Sequence, residues 1–219
     1  MSLVDTNWLE YNLNRVKVID CSWHMPQTKR NGFMEYKKKH IKNAIFFDLD
    51  KNSKKNIDLP HMLVDKKSWE VIVSNLGIKN EDEIVVYDNS DVISSCRCWY
   101  NFIYFGHNPQ LIHVLDGGLS KWNYEKKITN NKIIKINKSN YKAKELVNLV
   151  KNKKQINENI NLKIFKLLDA RSKNRFLGLE KEFRPELKSG SIKNSNNLPF
   201  TELIDPNTKT FLNKETIKE

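Results

Sequence analysis

The sequence predicts an α/β fold: a parallel sheet with helices on both faces, followed by an incomplete second copy of the same pattern. Two observations carry this. Short apolar runs alternate with helix-like stretches between residues 16 and 124, the pattern of parallel strands joined by helical crossovers. The chain also repeats itself. Val16-Lys17-Val18-Ile19-Asp20 is answered by Phe165-Lys166-Leu167-Leu168-Asp169, and Ile41-Lys42-Asn43 by Ile192-Lys193-Asn194. The offsets, 149 and 151 residues, are of domain length and exclude a short solenoid unit.

The elements follow in order. Residues 16–19 form a short apolar run ending in Asp20 and read as a buried strand; residues 44–47, ending in Asp48, read as another. Residues 66–76 place Trp69, Val71, Ile72, Val73 and Leu76 at helical spacing, with Gly77 as the stop. Residues 84–87 are a β-branched strand, 96–105 an apolar helix closed by Gly106, and 111–115 a further strand. After Asp116-Gly117-Gly118 comes a short helix through Trp122 and Tyr124. Residues 129–142 read as a linker between a first domain (1–128) and a partial second one (143–219). The second copy is expected to open with a helix at 143–150 and to repeat the first strand at 164–168. Its next strand is expected at Leu198-Pro199-Phe200, with a turn at Asp205-Pro206-Asn207.

Composition narrows the class. The chain has 219 residues with 39% hydrophobic content, enough for a packed core. No run approaches eighteen apolar residues, so a membrane partner is not expected. Residues 1–5 lack the basic and apolar blocks of a secretory signal. Three cysteines, an odd number, do not make a disulfide framework; reduced thiols and a cytoplasmic location are expected. The net charge of +12 divides into +2 for residues 1–130 and +10 for residues 131–219. An anionic partner would suit this. The lysines from Lys132 to Lys154 are nevertheless scattered among Asn and Ile and form no basic helix face, so a solvated surface is the reading and no nucleic-acid partner is expected.

In a parallel α/β domain functional groups gather at the carboxyl ends of strands, and nucleophiles favour a strand-to-helix loop where backbone N–H groups stabilise anions. In the first copy this loop is residues 87–95, and Asp88 holds the nucleophile position. A carboxylate is a poor sulfur or acyl nucleophile, and Asp91 nearby would repel anions. Asp88 follows Ile41 by 47 residues; that spacing from Ile192 reaches position 239, past Glu219, so the second loop is expected to be absent. Cys96 and Cys98 look like half of a metal site with no second half; both are assigned to the helix after the loop, one or both in the core. Cys21 carries no nucleophile motif. His24, His40, His107 and His113 show no metal-ligand spacing and read as structural, and no metal or organic cofactor is expected.

Several stretches together resemble the tandem-domain rhodanese family, the thiosulfate and 3-mercaptopyruvate sulfurtransferases. They are VIDCSW (18–23), HIKNAIFFDLD (40–50), LPHML (59–63), IVVYDNSD (84–91), RCWYNFIYFGH (97–107), VLDGGLSKW (114–122), LLDARSKNRFLG (167–178) and FRPELKSGSIKN (183–194). The resemblance implies a rhodanese-like first domain of the catalytically silent type, with Asp88 in place of the nucleophile. It implies a second rhodanese-like domain whose sulfur-accepting cysteine would lie in the loop that these 219 residues do not contain. It further implies that Arg175 and Arg184, nine residues apart, grip a substrate carboxylate, for which guanidinium forks are suited. Asp50 and His61 match a pair that assists proton transfer together with a serine of the missing loop. The family's His-Ile-Pro-Gly-Ala motif reads His40-Ile41-Lys42-Asn43-Ala44 here, and Ile93 stands where an aromatic is common.

Three readings follow. The first is a sulfurtransferase-family chain, acting by family on a small anionic sulfur donor, truncated before its nucleophile and inactive alone. The second is a non-catalytic binding or regulatory module. The third is half of a split enzyme, completed by a downstream polypeptide.

Overall fold

A computed structural model of the chain describes residues 2–182 and 187–218. It divides into two compact units, residues 1–147 and 148–219.

The first unit contains β1 (Leu3–Val4), α1 (Thr6–Asn12), β2 (Lys17–Asp20), α2 (Gly32–Lys38), β3 (His40–Ile41), β4 (Ile45–Phe46), α3 (Lys66–Asn75), β5 (Ile84–Tyr87), α4 (Ser94–Tyr104), β6 (Ile112–Leu115), α5 (Gly118–Tyr124) and β7 (Thr129–Asn130). Five strands form one parallel sheet in the order β1-β6-β5-β2-β4. β3 and β7 form a separate antiparallel pair. β5 is buried at every position, as a central parallel strand covered on both faces must be. One core layer gathers Leu9, Val18, Tyr87 and Trp122. Another stacks Trp69 on Phe105 with ring centroids 4.7 Å apart and sets Phe102 against its edge at 5.2 Å; such aromatic contacts add to the burial itself.

Helix starts are set locally. Asp5, Asn31 and Asp65 each cap the helix that follows by accepting a backbone N–H, satisfying one of the orphan donors of the first turn. The Lys- and Asn-rich stretch after β7 lies along the first unit: Tyr141 is 1% exposed, and Lys144 and Leu146 donate backbone hydrogen bonds to Phe105 and Tyr104. The helix expected at 143–150 is absent. A short 3₁₀ turn at Val147–Leu149 stands there, because the backbone before it is spent on α4. The first helix of the second unit starts at Lys153, where Asn152 and Gln155 form a reciprocal capping box.

The second unit contains α6 (Lys153–Leu162), β8 (Leu167–Asp169), α7 (Lys173–Phe176), β9 (Ser195–Asn197) and α8 (Lys214–Lys218). β8 and β9 pair in parallel. The expected strand at 198–200 is displaced: these residues follow β9, and Pro199 caps a 3₁₀ turn. The apolar Leu198 and Phe200 drew the assignment, whereas the strand itself is polar and recognisable only by register.

That register reproduces the first unit. Ile19 faces Ile45 and Asp20 faces Phe46; Leu168 faces Asn196 and Asp169 faces Asn197. Phe47 N–H donates to Asp20 O, and Leu198 N–H donates to Asp169 O. Asn43 and Asn194 both sit in the left-handed region, at φ 65° and 67°. Asparagine is among the few side chains that tolerate this conformation, so the turn keeps its shape in both copies without glycine.

Gly118, at φ +52°, opens α5 against the Asp88 carbonyl; a Cβ there would lie 2.5 Å from that oxygen. Gly118→Ala is expected to destabilise the chain by about 1–3 kcal/mol, measured as a lowered urea midpoint. An unchanged midpoint would show that the Asp88 loop gives way freely.

Candidate functional site

The candidate site lies at the carboxyl ends of β2 and β5. Residues 88–93 leave β5 and enter α4 through Ile93, held in the left-handed region at φ 50° and ψ 56°. The loop is fastened to Asp88 itself. One carboxylate oxygen accepts from Ser90 N–H at 2.9 Å and Ser90 Oγ at 3.1 Å, and the other accepts from Ser95 N–H at 2.7 Å. Ser94 N–H donates to Ser90 Oγ and Cys96 N–H to Ile93 O. The N–H groups of Asn89, Ser90, Ser94, Ser95 and Cys96 are thus committed to internal acceptors, and the helix N-terminus is already served by a carboxylate.

Neighbouring loops lock this arrangement. Ser94 Oγ donates to Cys21 O at 2.7 Å and accepts from Trp23 N–H at 3.1 Å. Arg30 grips both carboxylate oxygens of Glu35, at 2.7 and 2.8 Å, and donates to Asn89 O at 3.0 Å. The Arg30 guanidinium holds Glu35 below its usual range. A cleft of about 250 Å³ beside the loop is lined by residues including Asp20, Ser22, Arg30, Glu35 and Asn89. Asp20 accepts from Ser22 N–H at 2.9 Å and Ser22 Oγ at 2.6 Å. Burial nonetheless pushes its carboxyl up to about 6.

None of the three thiols is placed to attack. Cys21 and Cys98 are 1% exposed, and burial beside Cys98 raises Cys21 well above the ordinary thiol value. Cys96, on the same helix as Cys98, is pushed up to about 12 by burial and by the Asp88 carboxylate. A sulfur nucleophile needs the opposite, an accessible thiolate in a positive environment.

Asp50 and His61 meet: His61 Nε2 lies 2.8 Å from Asp50 Oδ1. Trp23 Nε1 also donates to Asp50, 3.1 Å from each oxygen, and its ring sets an edge against His61 with centroids 4.8 Å apart. Arg97 donates to the His61 carbonyl. The remaining histidines have local partners: His24 with Glu35, His40 with Tyr36 O, His107 with Asp82 O and His113 with Glu83. Among the described residues, no three His, Cys, Asp or Glu side chains converge to hold a metal ion.

In the second unit Arg175 starts from the short α7 and pairs with Glu182, which also receives Arg171. Both guanidinium groups hold the Glu182 carboxyl below its usual range, Arg175 foremost. Arg184 lies outside the described residues. Asp169 repeats the turn of Asp20, accepting from Arg171 N–H at 2.9 Å as Asp20 does from Ser22. Sequence reading missed Arg30, Ser94 and Trp23. The readable signal was the Asp two residues before a loop N–H in both copies, a side-chain turn pattern.

The fold and the loop define a rhodanese-like domain, and a family model described as "Rhodanese-like domain" matches residues 5–125. Thiosulfate/3-mercaptopyruvate sulfurtransferase 1, mitochondrial, of Arabidopsis thaliana is 35% identical over 99% of this chain; the chain spans 62% of that relative's length. Thiosulfate sulfurtransferase TUM1 of Saccharomyces cerevisiae is 32% identical over 91% of this chain and 68% of its own length. Among solved structures, the 3-mercaptopyruvate sulfurtransferase SseA from Escherichia coli superposes with a TM-score of 0.89 at 25% identity, covering all of this chain and 81% of that one. The Tum1 protein from Saccharomyces cerevisiae superposes at 0.88 with 28% identity, covering 78% of that chain. The chain belongs to the rhodanese-like sulfurtransferase family. No helix among the described residues is long and apolar enough to cross a membrane.

The raised Asp20 carboxyl has a measurable consequence. A folded-state value of about 6 against 3.8 means that the folded chain holds this proton more tightly than the unfolded one. The group's stability contribution is therefore present below about pH 4 and is lost as pH rises to about 6, by roughly 3 kcal/mol in total. Asp20→Asn removes this dependence. The difference in unfolding free energy, wild type minus variant, should fall by about 2–3 kcal/mol between pH 4 and pH 7. Urea denaturation at the two pH values measures it, and a difference constant with pH would contradict the assignment.

Proposed function

We propose that this chain is a sulfurtransferase-family polypeptide whose 219 residues, by themselves, do not turn over sulfur. The observation that carries this reading is the filled loop. Asp88 stands at the nucleophile position and its carboxylate accepts from the backbone N–H groups of Ser90 and Ser95 at the two ends of the loop, while the three thiols are shielded and two of them pushed upward. The first domain is thus of the silent type.

The reaction we assign to the family partner of this scaffold is transfer of sulfane sulfur through a cysteine persulfide. A thiolate attacks the outer sulfur of thiosulfate; the new S–S bond forms as the old one breaks, and sulfite leaves with the electron pair. With 3-mercaptopyruvate the leaving group is pyruvate, after protonation at the carbon released by sulfur. Cyanide or another thiophile then takes the outer sulfur and regenerates the thiolate. In this reading Asp50 and His61 are the supporting proton-transfer pair, and Arg175 and Arg184 bind the donor's carboxylate. Arg175 must then exchange Glu182 for substrate. The cytoplasm is our expected location, supported by three unpaired thiols; the Arabidopsis relative is named mitochondrial.

The second reading is an enzyme whose second domain is completed by residues outside these 219, and one observation favours it over a stand-alone binding module. The sheet of the second unit has only β8 and β9 among the described residues.

The purified chain is expected to form no thiocyanate from thiosulfate and cyanide, and no thiocyanate or pyruvate from 3-mercaptopyruvate and cyanide, above a no-protein control. Cys21→Ser, Cys96→Ser and Cys98→Ser should leave that background unchanged. Turnover abolished by any one of them would overturn the proposal.

A further inference from the structure

The Asp50–His61 pair is open to water: the Asp50 side chain is 67% exposed. A contact so exposed holds little by itself, so the irregular loop between the two residues needs other anchors. Some are local. Lys54 N–H donates to Met62 O at 2.8 Å and closes the loop on itself, and Ser53 Oγ donates to Leu49 O at 2.7 Å. Neither bond reaches His61, whose backbone stands at φ 55°. That left-handed conformation is uncommon outside glycine and persists where the surroundings impose it.

Arg97 supplies the grip from another element. It lies in the first turn of α4 and donates from Nη2 to the His61 carbonyl and from Nε to Asn101 Oδ1 at 3.1 Å, one turn further along the helix. Asn101 is 4% exposed, so one prong is anchored in the core while the other reaches the loop. Arg30, Arg171 and Arg175 each meet a carboxylate. The hydrogen-bond partners of Arg97 among the described residues are neutral, a carbonyl and an amide. Its guanidinium is nevertheless half-buried, and burial draws it below its ordinary value. A partly desolvated cation without a counter-ion is costly. What the planar guanidinium offers in return is a rigid span between two fixed acceptors, which an ammonium cannot give. The helix that carries it is itself seated by Asp88 through Ser95 N–H.

We propose that Arg97 is a positioning residue for the Asp50–His61 pair: by fixing the His61 main chain it makes the imidazole present Nε2 to Asp50 and leaves Nδ1 as the nitrogen that accepts a proton. Nε2 lies 2.8 Å from Asp50 Oδ1. Both Asp50 oxygens also accept from Trp23 Nε1 at 3.1 Å. A carboxylate only accepts, so Nε2 carries the hydrogen and Nδ1 the lone pair. Arg97 touches neither nitrogen and acts through the backbone. The role rests on Asp50 and His61 acting as the proton-transfer pair, and it gives that pair its anchor and its basic atom.

Nuclear magnetic resonance on the full chain, labelled with nitrogen-15, is the test. In alkaline solution, two-bond nitrogen–proton correlations of the wild type should show Nε2 of His61 protonated and Nδ1 bare. Nuclear Overhauser contacts should join the His61 ring to the Trp23 indole, whose centroids are 4.8 Å apart. Arg97→Met keeps the apolar stem and removes both donors. It should abolish the ring contacts, while exchange of the Lys54 amide, which reports loop closure, changes by less than about threefold. Arg97→Lys returns one donor to the carbonyl and should restore the contacts. Arg97→Gln is too short to reach that carbonyl and carries the same expectation as Arg97→Met, should the methionine variant fail to fold. A wild type with Nδ1 protonated or without ring contacts overturns the role. So do ring contacts that survive in the methionine or glutamine variant, or that lysine does not restore. Loss of Lys54 protection together with the ring contacts overturns it as well, because Arg97 would then close the loop and not aim the imidazole. None of these readouts involves sulfur transfer. Each negative result leaves the sulfurtransferase reading standing, whereas turnover by the chain alone defeats that reading and leaves the position of Arg97 untouched.

Discussion

The seating of the Asp88 carboxylate on the first turn of α4 is the constraint from which the rest of the first unit follows. A strand-to-helix loop in a parallel sheet collects backbone N–H groups around a positive helix end. Such a place must hold an anion, and here the anion is covalently supplied. With Ser90 and Ser95 donating to Asp88, the loop closes over β5. Ser94 is then free to tie Cys21 and Trp23, and Gly118 packs against the Asp88 carbonyl. Burial, and after it the same charge, suppresses ionisation of Cys96 in the first turn of the helix. Structural order and part of the chemical quiet therefore come from one group.

The second unit reuses the same local devices with fewer neighbours. The Asp169 turn, the left-handed Asn194 and the Leu198 hydrogen bond repeat those of Asp20, Asn43 and Phe47. What differs is the burial that surrounds them. In a five-stranded sheet each apolar side chain of β5 disappears from water; a two-stranded one cannot cover its faces, and a two-stranded sheet has little stability of its own. Ion pairs take a larger part, with Arg171 and Arg175 both meeting Glu182.

Much of this was legible in the residues. The strand-helix alternation, the β-branched 84–87 run and the repeat of Val16–Asp20 at 165–169 read directly, because periodicity and turn residues act locally. Asp50 and His61 could be paired only through family resemblance, since eleven residues and an irregular loop separate them. Three features escaped. β1 and α1 are too short to show a period. The 129–142 segment read as linker because Lys and Asn outnumber the anchor Tyr141. β9 is a polar strand, fixed by its partner's register and not by its own side chains, so the neighbouring Leu198 and Phe200 misplaced it. In each case a tertiary contact outweighed local propensity.

The burial of Cys21 and Cys98 makes the intact first unit a poor target for alkylating reagents, since these act on accessible thiolate. Label appearing at these two sulfurs therefore clocks the opening of the sheet itself. The chain thus carries a built-in reporter of its own integrity in two sulfurs that lie side by side: one probe follows β2, the other rides α4.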